Sequence, residues 1–287
     1  MKIFKIILLP ILFSFIALSC KTKVPDGKLT RTDDAAMLFG FLNPDVDTIT
    51  IALSLAKGVS NKKDKTITIA DLEQAEVKLE HKGQSIDLKF LETRSGKYSN
   101  NDKQIVIFYT LQSKLPILPG ETYTVSAKNN SLFDLKATTT VPSKDFDFDY
   151  TISGPFPFDH NYPEYKVNMT IRDPGNGISF LRVVTHVSIK DQDQSYTSYD
   201  VAKEVQQESN GIIKYDFSFN ADLDNEEKET TLSCINTTES YFRYVTAIKK
   251  GAGGGGDPFS EPTSVYTNIE GGYGIFSAFC TKSKKIE

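Results

Sequence analysis

Residues 48–55 read TITIALSL. Ile49, Ile51, Leu53 and Leu55 fall on one side of this run, and Thr48, Thr50, Ala52 and Ser54 on the other. Strict period-two alternation predicts a half-buried β-strand and excludes a helix. Further strands are expected at 35–42, 76–80, 85–91, 104–111, 121–127 and 136–141. Turn-forming clusters separate the runs: Asn43-Pro44, Lys82-Gly83, Pro119-Gly120 and Asn129-Asn130-Ser131. Six or seven short strands in about 110 residues predict a β-sandwich of immunoglobulin-like size. Leu118-Pro-Gly-Glu-Thr-Tyr123 fits the corner of such a sandwich, with Tyr123 as a packing residue.

A second set of strands is expected at 146–152, 165–172, 180–189, 212–219, 230–236 and 274–281. The Val141-Pro142-Ser143 step places a boundary near residue 144. One helix interrupts the pattern. Tyr241, Tyr244, Val245 and Ile248 recur at i, i+3, i+4 and i+7, with Thr238 as cap, Glu239 in the first turn and Gly251 at C′. The expected fold is all-β, with an immunoglobulin-like β-sandwich at 33–143. A second β-rich domain follows at 144–287, with one short C-terminal helix. The 19 Phe and 13 Tyr, with no Trp, suit pleated structure.

The N-terminus reads as an address. Lys2 and Lys5 precede the apolar run at 6–18, which Pro10 breaks. Its 13 residues suit a secretory h-region better than a membrane span. Ala17-Leu18-Ser19-Cys20 resembles the bacterial lipobox, with Ala17 where Leu is usual. The resemblance implies cleavage after residue 19, acylation of Cys20 and attachment to membrane lipid. An ordinary signal peptide or an N-terminal anchor is the other reading. Residues 1–19 are then the signal peptide and 20–32 (CKTKVPDGKLTRT) a flexible tether. Losing Lys2 and Lys5 takes the formal charge from -4 to -6. That balance argues against a nucleic-acid partner.

Catalytic and metal-binding patterns fail one by one. His81, His160 and His186 are dispersed, so no metal site is expected. Asp145, Asp147 and Asp149 alternate with Phe146, Phe148 and Tyr150. A calcium loop would need Gly and Glu where Tyr150 and Phe156 stand. Period two instead puts the carboxylates on one strand face. The glycines at 253–256 precede Asp257-Pro258, not Lys-Ser/Thr, which favours a loop over a phosphate cradle. Neither a cofactor nor a catalytic constellation is expected.

The C-terminus carries the specific signature. Asp257-Pro-Phe-Ser-Glu-Pro262 is followed by Tyr266-Thr-Asn-Ile-Glu-Gly-Gly-Tyr-Gly-Ile-Phe276. With Pro119-Gly-Glu-Thr-Tyr123, Ala137-Thr-Thr-Thr-Val-Pro142 and Asp173-Pro-Gly175, this string resembles a family of Bacteroidetes outer-membrane lipoproteins. That family is catalogued as a domain of unknown function, the 4249 family. The resemblance implies an immunoglobulin-like domain, a second β-rich domain and genetic company with TonB-dependent outer-membrane receptors; it supplies no catalytic residues. The expected function is a lipid-anchored outer-membrane accessory protein that assists a TonB-dependent transporter in ligand capture or uptake. The leaflet that holds it is left open. A stand-alone cell-surface glycan- or protein-binding module is the alternative.

Three further expectations attach to named residues. The turn carrying Asn268, Gly271, Gly272 and Gly274 either contacts a partner or lets the chain re-enter the core at Ile275 and Phe276. Asp47-Thr48-Ile49 resembles the short motif at which periplasmic Bacteroidetes proteins are O-glycosylated, making Thr48 either a modified residue or simply the start of a strand. Cys234 and Cys280 are the two thiols left after acylation of Cys20. In an oxidising compartment they are either a disulfide or two buried free cysteines.

Overall fold

A computed structural model describes residues 33–57, 66–98, 101–157, 163–175, 177–189, 195–205, 211–223, 228–253 and 266–286. The expected signal peptide, tether and Cys20 lie outside them. The described residues are all-β with two short helices. In order the elements are β1 (Ala35–Leu42), β2 (Thr48–Ala56), α1 (Ile69–Glu73), β3 (Glu76–His81), β4 (Gln84–Asp87), β5 (Lys89–Tyr98), β6 (Asn101–Leu111), β7 (Thr122–Asn129) and β8 (Phe133–Thr140). There follow β9 (Asp147–Phe156), β10 (Glu164–Arg172), β11 (Phe180–Ile189), β12 (Ser195–Glu204), β13 (Ile212–Asn220), β14 (Lys228–Thr237), α2 (Glu239–Gly253) and β15 (Tyr273–Ile286).

Three sheets hold these strands. The largest has eight, in the order β12-β11-β14-β15-β1-β2-β6-β5. A four-stranded sheet, β4-β3-β7-β8, covers one half of it, and a three-stranded sheet, β13-β10-β9, covers the other. The alternation read from TITIALSL is realised: Ile49, Ile51 and Leu53 are buried. Tyr123 is fully buried, and its hydroxyl donates to the Pro116 carbonyl (2.6 Å) and accepts from the Leu118 amide (2.8 Å). This is the expected sandwich corner.

The 143/144 step lies between β8 and β9, where the chain leaves the first sandwich for the second. β15 crosses back. Its first half pairs in parallel with β1, Met37 opposite Tyr273 and Leu42 opposite Ala278. Its second half pairs antiparallel with β14, from Phe279 to Ile286. The last strand therefore completes the first sandwich as well as the second, and one contiguous core runs through both. The boundary segment is pinned from the second half: Asn236 donates to the Ser143 carbonyl (2.9 Å) and the Cys280 thiol to that of Pro142 (3.2 Å).

Sequence reading missed α1, β12 and most of β5: the single strand expected at 85–91 is split, its first part forming β4 in the four-stranded sheet and its end opening β5 in the eight-stranded one. α1 is one turn long, closed by a capping box in which Thr68 accepts from the Asp71 amide and the Asp71 carboxylate accepts from the Thr68 amide. β12 is an edge strand with a polar sequence, SYTSYDVAKE, which hides its alternation. α2 runs to Gly253, so Gly251 is helical and not the C′ residue. Among the described residues no helix is long and apolar enough to cross a membrane.

Candidate docking face

Successive residues of a strand point to opposite faces, so register fixes what the eight-stranded sheet turns away from its core. On β1 the inner set is Ala36, Leu38 and Gly40, and the outer set Met37, Phe39 and Phe41. Gly40 is inside because a Cβ there would lie 2.5 Å from Ile51 Cδ1. Across β2 the outer neighbours are Thr50, Ala52 and Ser54; across β6 they are Ile105, Ile107, Tyr109 and Leu111. Apolar residues thus occupy both faces of β1 and β6. Phe41, Ile105, Leu111 and Tyr273 are 37%, 38%, 43% and 48% exposed.

α2 covers part of this face, over β15. Thr238 caps it, accepting from the Tyr241 amide (3.2 Å). Thr238 and Ser240 also bond the Ser277 hydroxyl on β15. Tyr241 meets Phe41 edge-on at 5.7 Å, and Tyr244 lies 6.5 Å from Phe39. Arg182 on β11 donates to both Asp200 oxygens (2.7 and 2.9 Å) and to the Tyr241 hydroxyl. Burial raises the Tyr241 phenol above its usual range, opposed by the Arg182 charge. The helix buries Ile275 and Ser277 from above, leaving Ile248 44% exposed.

The signature string forms a clasp at the start of β15. Asn268 donates to the Phe276 carbonyl (2.7 Å) and accepts from its amide (2.9 Å). Glu270 exchanges two backbone bonds with Lys136 on β8. Gly271 has φ +79°, and a Cβ would lie 2.0 Å from the Asp134 carbonyl oxygen. At Gly274, φ is +117° and the Leu38 carbonyl oxygen would be 1.9 Å away. A Cβ on Gly272 would meet the Ala36 carbonyl oxygen and Leu135 at 2.5 Å. These glycines let the chain thread between the two sheets of the first sandwich, which explains their spacing without any outside contact.

A family model covering residues 26–285 matches the chain. The chain belongs to the family described as Domain of unknown function (DUF4249). No curated protein matches it in a sequence search. The residues at 268–276 in this DUF4249 chain are residues that seat the closing strand.

The remaining site expectations divide. Cys234 and Cys280 are free and buried in this DUF4249 chain, not a disulfide. Cys280 sits opposite Asn236, and Cys234 opposite Lys282. The two are diagonal neighbours, typically about 7–8 Å apart between Cα atoms, beyond the reach of a disulfide. Burial pushes the Cys280 thiol up to about 11 and raises that of Cys234 further. Thr48 opens β2, exposed and opposite Leu111. Asp147 and Asp149 lie outward while Phe146 and Phe148 are buried, as period two required. The two carboxylates pair with Arg172 and Lys284, which hold Asp149 below the usual carboxylate range. No group of three His, Cys, Asp or Glu among the described residues could hold a metal ion.

Sequence reading missed the outer face. Its signal was the absence of a polar phase in Ala35–Leu42 (AAMLFGFL) and in IVIFY at 105–109. Such runs mark strands covered on both sides.

Proposed function

We propose that this DUF4249 protein is a lipid-anchored accessory protein of the outer membrane. It assists a TonB-dependent transporter in capturing or admitting a ligand, and it uses the outer face of β1, β2 and β6 to meet its partner. The observation that carries the docking part is the set of outward-facing apolar side chains on two strands of one sheet face, Met37, Phe39 and Phe41 on β1 and Ile105, Ile107, Tyr109 and Leu111 on β6, of which Phe41, Ile105 and Leu111 are the most exposed. Large apolar side chains gathered on an exposed face mark interaction sites. The apolar run at 6–18 followed by Cys20 supports the anchor, and the family resemblance supports the transporter. The protein acts by binding rather than by catalysis in this reading.

The test is co-purification of tagged full-length protein from solubilised outer membranes. A TonB-dependent barrel is expected with the wild type and lost with the double substitution Ile105→Lys/Leu111→Lys. Cys20→Ala should release the protein from the membrane fraction or stall its processing. Recovery without any barrel, or equal recovery with the double variant, would overturn the docking reading. If such protein instead bound glycans on an array without a barrel, the stand-alone binding module would replace it.

A further inference from the structure

We infer that β13 pairs with β13 of a second copy of this chain, antiparallel and about a two-fold axis at Tyr215, so that two three-stranded sheets join into one. The inference stands apart from the docking reading: it concerns the sheet β13-β10-β9 of the second sandwich.

The sheet edges decide where a strand can be added. They are β12 and β5, β4 and β8, and β13 and β9. An open edge invites pairing, and folds block it with bulges, prolines, short strands or covering segments. β4 has four residues. β5 and β12 each meet their neighbour with a register shift, at Phe90/Glu92 and at Thr185/His186. β9 contains Pro155 and a shift against Glu164/Lys166. β8 is met at Lys136 by Glu270. β13 differs from the other five. Its nine residues, IIKYDFSFN, pair with β10 without a break, from Ile212 opposite Arg172 to Asn220 opposite Glu164. The facing sheet reaches β13 from the core side, where Tyr199 of β12 stacks on Phe217 at 4.3 Å and meets the Tyr215 hydroxyl at 2.8 Å.

The residues of β13 select a second copy and its register. The Gly211 carbonyl accepts from the Asp173 amide, and the Ala221 amide donates to the Pro163 carbonyl. Odd-numbered residues therefore turn their backbone toward β10, and Ile212, Lys214, Asp216 and Ser218 turn theirs to the edge. A second β13 must then match even positions with even ones. Lys214 and Asp216 are exposed on the solvent face, while Ile213, Tyr215 and Phe219 are buried on the other. An axis at Asp216 would set carboxylate against carboxylate, and an axis at Lys214 ammonium against ammonium; like charges directly opposite destabilise a sheet. An axis at Tyr215 sets Lys214 opposite Asp216 of the second copy, twice over, and Ile212 opposite Ser218. On the core face it sets Ile213 opposite Phe217 and Tyr215 opposite Tyr215. Lys214-Tyr215-Asp216 is thus its own complement.

The experiment expresses the full-length protein in cells as two differently tagged copies, one with Lys214→Cys and one with Asp216→Cys, and treats the membranes with copper-phenanthroline. In this register the two positions lie about 5.5 Å apart between Cα atoms, within disulfide reach. A covalent dimer carrying both tags is expected. Either variant alone should yield less than about a tenth as much, because like positions are then two residues out of step, about 7–8 Å apart. Both substitutions are on the solvent face, and both variants are first shown to keep the wild-type melting curve. A second measurement needs no crosslink: Asp216→Lys sets lysine against lysine and should weaken the dimer of the detergent-solubilised protein about tenfold in sedimentation, with Lys214→Asp/Asp216→Lys restoring it. Covalent dimer from Asp216→Cys alone, no covalent dimer in the mixture, a crosslink to a different protein, or no rescue by the charge swap would overturn the inference. Ile105→Lys/Leu111→Lys should leave the dimer yield unchanged; loss of the dimer there would place the contact on the other sheet and overturn the inference while keeping an interaction role for the apolar face.

Discussion

The first sandwich has two outer faces, and they differ in how much large apolar surface they carry. On the four-stranded sheet, β7 and β8 present Thr122, Thr124, Lys128, Asp134, Thr138 and Thr140. Hydroxyls meet across the strands, Thr122 with Thr140 at 2.8 Å and Thr124 with Thr138 at 3.0 Å, and Lys128 reaches Asp134 at 3.0 Å. These polar groups are matched to water and to each other, so nothing needs to cover them. On the eight-stranded sheet β1 and β6 instead present Met37, Phe39, Phe41, Ile105, Ile107, Tyr109 and Leu111, on either side of Thr50, Ala52 and Ser54 of β2. One helix covers part of that face. This difference is the ground for the docking proposal.

The comparison is broken most severely at the clasp, because β15 supports the apolar face and has no counterpart on the polar one. Gly274→Ala would drive a Cβ into the Leu38 carbonyl at a backbone φ of +117°. We expect a loss of more than about 4 kcal/mol, seen as failure to fold or a collapsed denaturation midpoint. Gly120→Ala, at the corner leading into the polar sheet, has φ +80° and open space around it. That change should cost only about 1–2 kcal/mol.

Tyr123→Phe sharpens the polar side. It removes the acceptor of the Leu118 amide and the donor to the Pro116 carbonyl. Urea denaturation should show a loss of about 1–3 kcal/mol. A smaller and pH-dependent effect comes from the buried thiol of β15. Cys280 is raised from 9.0 to about 11, so its neutral form is favoured in the folded state. The stability it contributes is fully present below about pH 9 and is lost as pH rises through about 11. Denaturation midpoints measured across that window should fall with increasing pH. Neither Cys234 nor Cys280 should react with iodoacetamide at neutral pH until the protein is unfolded, and both should then label without reductant. The smallest effect is expected from Ile105→Lys: stability within about 0.5 kcal/mol of wild type, because the side chain is already exposed.

Much of the fold was legible because period-two alternation survives wherever one face is wet. TITIALSL and the polar-faced β8 were read correctly for that reason. The pairing of β15 with β1 was not legible, since a parallel contact between the two ends of the chain leaves no local trace. The apolar outer face was hidden by the property that defines it: with apolar residues in both phases, AAMLFGFL shows a strand but not which side faces outward. The glycines at 271, 272 and 274 were singled out by spacing, yet their reason, carbonyls of Asp134, Ala36 and Leu38 within 2.5 Å of any Cβ, is a tertiary fact. The Cys234–Cys280 pairing failed on register alone, two residues out of step across β14 and β15.

The most direct test compares the two faces in one labelling experiment. Ile105→Cys and Thr138→Cys each add one exposed thiol to a chain whose Cys234 and Cys280 are buried. A membrane-impermeant maleimide is applied to the purified protein and to outer-membrane preparations. We expect both sites to label in the purified protein, and in the membranes position 138 to label while position 105 is protected. Equal labelling of the two positions in the membranes would contradict a docking role for the apolar face.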